Sequence, residues 1–380
     1  MKLCIVTHKV AIGDGQGRVN YEVAWEAIRR GHHVTLLASS VDLALQQHSQ
    51  VEWISIPVKG YPLQLVREIA FSTHSAWWLN KHQKEFDMIK LNGTITSTRG
   101  DVNAVHFVHS SWLRSPFNLS TQNLSLRGTY QRFYTALNAE WEKKAFDRAK
   151  VVVAVSEKVA QELIAIGVPR DRIRVILNGI DLQEFAPGIV DRQKWGLPEE
   201  VPLALFAGDI RTPRKNLDTV LHSLVQVPQL HLGVVGGTAG SPYPELARSL
   251  NLENRVHFLG FRQDVPDLMK AADFLVFPSR YEPFGLVVLE AMATGIPVIT
   301  AATTGAAELV TPDCGFVLPD SDDTQALAEA LNQLVKCAQQ KRQQMGQVAR
   351  TIAEQHSWAN MARNYVNLFE ELQPCGRFQL

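Results

Sequence analysis

Short β-branched apolar runs alternate along this chain with longer segments in which apolar positions recur every three or four residues. In the first half, LCIVTH, HVTLLAS, VEWISIP, DMIKLNG, NAVHFVH and KVVVAVS predict strands, while residues 17–30 and 132–149 predict helices. In the second half, PLALFAGD, LHLGVVGG, RVHFLG, DFLVFPS, IPVITA and GFVLPD predict strands. Helices near 216–227, 243–250, 265–271, 286–294 and 323–339 separate them. Such alternation predicts βα units and parallel sheets. At 380 residues the chain exceeds one ordinary core, so two domains are expected. NGIDLQEFAPG (178–188), carrying Gly and Pro and little periodicity, reads as an interdomain hinge. The N-terminal domain then covers 1–182 and the C-terminal domain 183–356. A last amphipathic helix near 357–372 would cross back so that the segment to 380 completes the first domain. Two doubly wound domains bind ligands outside the carboxyl ends of their strands, at the loops that open helices.

The candidate chemistry falls in those loops. In RYEPFGLVVLEAMATGIPVI (280–299), Pro283 and Gly285 mark a turn into a helix. Glu282 then precedes that helix and Glu290 lies about one turn inside it. The amides of Phe284, Gly285 and Leu286 become unpaired donors at a helix N-terminus, a place for a phosphate. Two carboxylates that accept from hydroxyls beside an anion hole suit a sugar joined to a nucleoside diphosphate. The same residues also fit an ordinary helix start with Glu290 in an ion pair.

GDIRTPRKNLDTV (208–220) clusters Arg211, Arg214 and Lys215 after a strong strand. Cations at a helix N-terminus oppose its dipole unless an anion sits there, and a diphosphate would fill that place. In the first loop, Gly13, Gly15 and Gly17 permit close backbone approach to a phosphate or sugar near Gly15–Gly17, with Arg18 a candidate helper. A dinucleotide fingerprint would place Gly where Arg18 stands. His106 and His109 end a predicted strand three residues apart, so alternation puts one in the core and the other toward ligand. His109, nearer the carboxyl edge, is the candidate. Phe261 and Arg262 follow another strand, where they could border a nucleobase.

Four scattered cysteines (Cys4, Cys314, Cys337, Cys375) argue against a disulfide framework or a zinc site and fit a reducing cytoplasm. The N-terminal apolar run reads as a strand rather than a signal peptide, and no stretch approaches the length of a membrane span. Net charge is zero, yet residues 1–180 hold 22 Lys and Arg against 15 Asp and Glu. That basic half could face an anionic acceptor or a membrane surface. Aromatics at Trp77, Trp78, Trp112, Phe117, Tyr130, Phe133 and Tyr134, interleaved with Arg114, Arg127 and Arg132, allow either a lipid-linked acceptor surface or a core.

Taken together, EPFGLVVLEAMATGIPVI, GDIRTPRKN, VILNGID and the Gly-rich first loop closely resemble retaining glycosyltransferases of the GT-B fold. More narrowly the chain is similar to family four of the sequence-based classification, and the resemblance runs nearly its whole length. It implies two Rossmann-like domains facing each other across a deep cleft. It implies a UDP-, GDP- or ADP-sugar as donor and a glycan, glycolipid or small molecule as acceptor, with no cofactor, metal or nucleic-acid partner. It gives Glu282 to the donor sugar, Glu290 to the ribose, Lys215 to the diphosphate, and His109 to the sugar from the first domain. The amides of Phe284–Leu286 would hold phosphate or sugar, and Gly15–Gly17 would line the phosphate or acceptor side. The place is cytoplasmic, with peripheral attachment to the inner face of the membrane left open. One departure stands out: similar proteins carry Arg after the Gly that opens the diphosphate loop, and here that residue is Asp209. A sugar-nucleotide epimerase of the same fold and a non-catalytic nucleotide-sugar-binding protein remain the alternatives. An NAD-dependent dehydrogenase is weaker, since no acidic residue closes HVTLLASS.

Overall fold

The computed structural model describes residues 1–58, 60–61, 63–118 and 126–373. Cys375, residues 374–380 of the expected C-terminal segment and the side chain of Arg127 lie outside the described residues. The chain forms two compact units. Unit 1 is Met1–Gly179 with the segment from Trp358 onward, and unit 2 is Ile180–Ser357. The division falls three residues before the boundary expected at 182. The two ends of unit 2 are pinned together, because Ile180 N donates to His356 O at 2.9 Å.

Unit 1 runs β1 (Lys2–Val10), α1 (Gly15–Arg29), β2 (His33–Val41), α2 (Leu43–Gln46), β3 (Val51–Ser55), α3 (Gln64–His82), β4 (Met88–Asn92), β5 (Val102–Val105), α4 (His109–Arg114), α5 (Leu126–Asp147), β6 (Val151–Ala154), α6 (Glu157–Ala165) and β7 (Ile173–Val175). Its sheet is parallel, in the order β3-β2-β1-β4-β5-β6-β7. The central strands are buried on both faces, which is why they read as continuous apolar runs. Strand order reverses between β1 and β4, so unit 1 has a switch point there.

Unit 2 runs β8 (Leu203–Ala207), α7 (Leu217–Leu224), β9 (His231–Val235), α8 (Tyr243–Ser249), β10 (Val256–Gly260), α9 (Val265–Ala271), β11 (Phe274–Phe277), α10 (Leu286–Thr294), β12 (Val298–Ala301), β13 (Gly315–Leu318), α11 (Thr324–Lys336) and α12 (Gln339–Glu354). All six strands fall on the predicted runs and pair in parallel as β10-β9-β8-β11-β12-β13. The switch point here lies between β8 and β11.

A final helix, α13 (Trp358–Glu371), follows unit 2 but belongs to unit 1. Its apolar face buries Trp358, Met361, Ala362, Tyr365, Val366 and Phe369, the spacing of a helical stripe, against α1. Burying an aromatic side chain of this size is worth roughly 1.5–3 kcal/mol. At the far end Arg30 and His32 reach Glu370 at 2.8 and 3.0 Å. Beneath α13, Lys90 on β4 is fully buried and donates to Asn20 Oδ1 at 2.6 Å and Asn92 Oδ1 at 3.1 Å. Its ammonium lies 5.3 Å from the centre of the Tyr365 ring. Burial pushes the Lys90 ammonium down to about 7.

One departure from the sequence reading bears on the site. NAVHFVH was expected to stay extended through His109, but β5 ends at Val105 and His109 opens α4. The buried Glu142 carboxylate causes this: it accepts from the amides of His109 and Ser110, both at 2.7 Å, and supplies the helix start. The aromatic stretch after residue 60 forms a long helix, α3, with Phe71 and Leu79 in the core and Trp77 exposed.

In unit 2, α10 is fixed from behind by α12 across two glycines. Gly295 ends α10 at φ +81°, and a Cβ on Gly346 would stand 1.9 Å from Gly295 O. Gly346→Ala must therefore push the helices apart. It should destabilise the protein by about 1–3 kcal/mol, read as a lower urea midpoint; an unchanged midpoint would show that this contact yields freely.

Candidate functional site

The loops at the unit 2 switch point meet around one carboxylate. Glu282 stands in the loop after β11, its amide donating to Thr303 O at 3.1 Å and its carbonyl accepting from Gly305 N at 2.9 Å. The next contact, Ala306 N to Phe284 O at 2.6 Å, continues this lacing of the loops after β11 and β12. Gly285 follows at φ +94°, where a Cβ would lie 2.7 Å from Thr304 Cγ2. Only glycine meets both the backbone conformation and that approach. Leu286 then opens α10, and no side chain caps this helix. The amides of Phe284–Leu286 therefore stand at a helix N-terminus that the protein's own side chains leave uncapped.

From the loop after β8, Lys215 Nζ hydrogen-bonds Glu282 Oε2, and Arg214 Nη1 approaches the same oxygen at 3.6 Å. Burial lowers the Lys215 pKa, and the Glu282 carboxylate opposes that shift. Asn216 fastens the turn in the left-handed region at φ +67°, donating to Pro278 O and Ser321 O at 2.9 and 2.6 Å.

The charges around this point are mostly spent. Arg211 forks onto Asp209 at 2.8 and 2.9 Å, and Arg262 pairs with Asp264, which also accepts from Trp195 Nε1. Arg280, only 9% exposed, forks onto Asp218 and reaches Asp322 at 2.7 Å. Arg214 and Lys215 alone among these five cations share a single carboxylate. The three-cation cluster expected from the sequence is thus two, because Arg211 is neutralised within its own loop. Asp209, the odd acid of that loop, is the partner of Arg211, whose guanidinium holds its carboxyl below the usual range.

Glu290 lies one turn inside α10, where burial first and the nearby Glu184 second push its carboxyl up to about 7. Phe284 is buried, whereas Phe261 is 80% exposed. Phe261 and Arg262 follow the edge strand β10, two strands from β8.

In unit 1 a cavity of about 730 Å³ opens at the carboxyl edge of the sheet, with His8, Asn92, His106, His109, Glu142 and Trp77 in its wall. Both His106 and His109 line it, correcting the expectation that strand alternation separates them. Burial pushes His106 down to about 3 and His109 to about 4, so both imidazoles are neutral at pH 7. The helix starts here are filled. Asp14 Oδ1 accepts from Gly17 N at 2.7 Å at the head of α1, as Glu142 does at α4. Gly17 is needed for that approach, since a Cβ would stand 2.8 Å from Asp14 Oδ2. Its amide is taken up by that carboxylate. Arg18 is likewise engaged, with Glu22 at 2.6 Å. Among the described residues no cluster of His, Cys, Asp or Glu could hold a metal ion, and no helix is long and apolar enough to cross a membrane.

Sequence reasoning passed over Arg280, Asp218 and Asp322, which join the loops after β8, β11 and β13. Arg280 was visible two residues before Glu282, but its partners lie 62 and 42 residues away.

The raised carboxyl of Glu290 fixes a pH dependence. The folded chain holds this proton up to about 7, while the unfolded chain releases it near the ordinary 4.5. Stability therefore falls as pH rises from about 4.5 to about 7. Glu290→Gln should remove that slope, so its melting temperature gains on the wild type between pH 5 and pH 8. A constant difference across that range would show that Glu290 titrates as an ordinary carboxyl.

Two family models match the chain: one described as "Glycosyl transferases group 1" over residues 189–352, and one as "Glycosyltransferase Family 4" over 13–184. An uncharacterized glycosyltransferase of Methanocaldococcus jannaschii is 25% identical over 366 residues, covering 90% of each chain. The structure of a sucrose-phosphate synthase from Thermosynechococcus elongatus superposes with a TM-score of 0.78 at 22% identity, covering 98% of both chains. That of Anabaena HepE in complex with UDP and glucose gives 0.69 at 23% identity, covering 98% of this chain and 100% of its own.

Proposed function

The chain belongs to the glycosyltransferases of group 1, with the GT-B fold, and on that premise we propose that it moves a sugar from a nucleoside-diphosphate sugar to an acceptor hydroxyl with retention of configuration. The observation that carries this reading is the convergence of Arg214 and Lys215 on Glu282 beside the uncapped start of α10. Departure of a nucleoside diphosphate develops negative charge. Two cations sharing one carboxylate have positive charge left over to meet it, and helix-terminal amides add fixed donors. In this reading those groups do the work without a metal ion. The donor is a UDP-, GDP- or ADP-sugar, and the UDP and glucose bound by Anabaena HepE support that class. Glu282 accepts from hydroxyls of the sugar and Glu290 from the ribose. Retention follows from attack on the face the diphosphate leaves, its oxygen taking the acceptor's proton, so no protein base is required.

Unit 1 supplies the acceptor site. Carboxylates at the heads of α1 and α4 and neutral imidazoles at His106 and His109 disfavour a phosphate in its cavity and suit uncharged hydroxyls. A glycan or the head of a glycolipid fits that chemistry, with a role in cell-envelope or polysaccharide synthesis. Exposed Val66, Ile69 and Trp77 on α3 and Phe133 on α5 support a peripheral contact with the inner face of the cytoplasmic membrane.

Two measurements test the reading. Screening UDP-, GDP- and ADP-sugars by thermal shift should reveal one that stabilises the protein by about 2.7 kcal/mol at 100 times its Kd; no shift with any of them counts against a nucleotide-sugar site. Lys215→Ala and Glu282→Ala should each lower transfer by a factor of ~100 or more while the protein stays folded. Full activity in both would sink the assignment, and turnover of donor without acceptor at the same rate would favour an epimerase.

A further inference from the structure

The Lys215–Glu282 pair joins the loops after β8 and β11, and one side chain ties both of them to the loop after β13. The Arg280 guanidinium is nearly enclosed. It donates through Nη1 and Nη2 to Asp218 at 2.9 and 2.7 Å and through Nε to Asp322 at 2.7 Å. Its Nη1 also donates to Pro213 O at 2.9 Å, and its backbone amide to Arg214 O at 2.9 Å. Ser279 Oγ adds a second bond to that same Arg214 carbonyl at 3.0 Å. The two carbonyls so held are those immediately before Lys215. Two residues after Arg280, the chain presents Glu282.

We propose that Arg280, with Asp218 and Asp322, is a positioning clamp that sets the Lys215 ammonium and the Glu282 carboxylate in register for the donor. This inference rests on the donor-site reading above and adds a residue group that touches no ligand.

The physical reason is the number of bonds required at once. A guanidinium is flat and carries five N–H donors, so it can bridge two carboxylates and a carbonyl without moving. An ammonium cannot match that fork. Burial works against the Arg280 charge, and the hydrogen bonds to Asp218 and Asp322 more than offset it, so the guanidinium stays ionised. Lys215 is otherwise a long side chain with several rotatable bonds. Its placement depends on the 3₁₀ turn at Pro213–Lys215, and Arg280 holds that turn by two carbonyls, one through its side chain and one through its amide. Loosening the clamp should therefore weaken the grip on a diphosphate before it unfolds anything.

The test is a double-variant cycle on nucleotide binding. Calorimetry with UDP, GDP and ADP identifies the diphosphate that the wild type binds most tightly, and that one serves as the probe. Arg280→Lys should raise its Kd about 10-fold, and Lys215→Ala by more, since each lost hydrogen bond to a charged group weakens binding appreciably. If Arg280 acts through Lys215, the double variant binds within about twofold of Lys215→Ala alone. A role in stability alone would lower the melting temperature of Arg280→Lys and leave its Kd untouched, and multiplied losses in the double variant would mean an independent contact; either result overturns the clamp. Asp322→Asn, at a partly exposed carboxylate, removes one arm with less risk to folding. It should raise the Kd in the same direction by a smaller factor, and a Kd equal to the wild type's counts against the clamp. If the wild type binds none of the three diphosphates, the donor-site reading fails and the clamp falls with it. Normal wild-type binding with an unchanged Arg280→Lys overturns the clamp alone.

Discussion

The Glu282 carboxylate meets Lys215 and Arg214 because β8 and β11 are neighbours in a sheet whose order reverses between them. Loops leaving a parallel sheet on one side of a reversal diverge from those on the other, and a space opens at the carboxyl edge. Into that space β8 sends two cations and β11 sends one acid. Everything else in unit 2 that bears on the site holds those two loops in place. Asn216 fastens the first to the second, Thr303 and Gly305 lace the second to the loop after β12, and the helix behind, α10, is backed by α12 through Gly295 and Gly346.

Counting charges alone would mislead here. Five cations stand in the loops at the carboxyl edge of unit 2, and most are already matched by carboxylates of the same or adjoining loops. Exposed pairs such as Arg211–Asp209 contribute little to stability. What they change is which positive charge remains for a ligand. That leftover charge sits on Arg214 and Lys215, and it faces the start of a helix with no capping side chain. In unit 1 the same principle runs the other way. Asp14 and Glu142 fill the helix starts beside the cavity, and burial strips charge from its histidines.

Much of the fold was legible in the sequence, because strands buried on both faces must be apolar throughout and the helices between them must show a stripe. The six strands of unit 2 and the helix at 265–271 lie where the pattern puts them. The reading of β5 failed at His106–His109, where residues suited to a strand start a helix, since a carboxylate 33 residues away takes up the amide of His109. In the sequence the glycines of the first loop read as room for a phosphate. Gly17 is there instead to let Asp14 close on its amide, and glycine alone does not say which atom comes near.

By itself the sequence determined the order of βα units, the EPFG turn with its two acids, and the cation loop before α7, since these depend on neighbours a few residues apart. Only the tertiary structure decided which charges cancel. Arg211 and Arg214 stand three residues apart in one loop, yet one turns back to Asp209 and the other reaches across to Glu282, 68 residues on. Electrostatic pairing falls off with distance in space, and distance in space between loops is set by strand order in the sheet. No local pattern carries that order, so the two cations that share one carboxylate, the clamp at Arg280 and the capped helix starts of unit 1 became visible only in the folded chain.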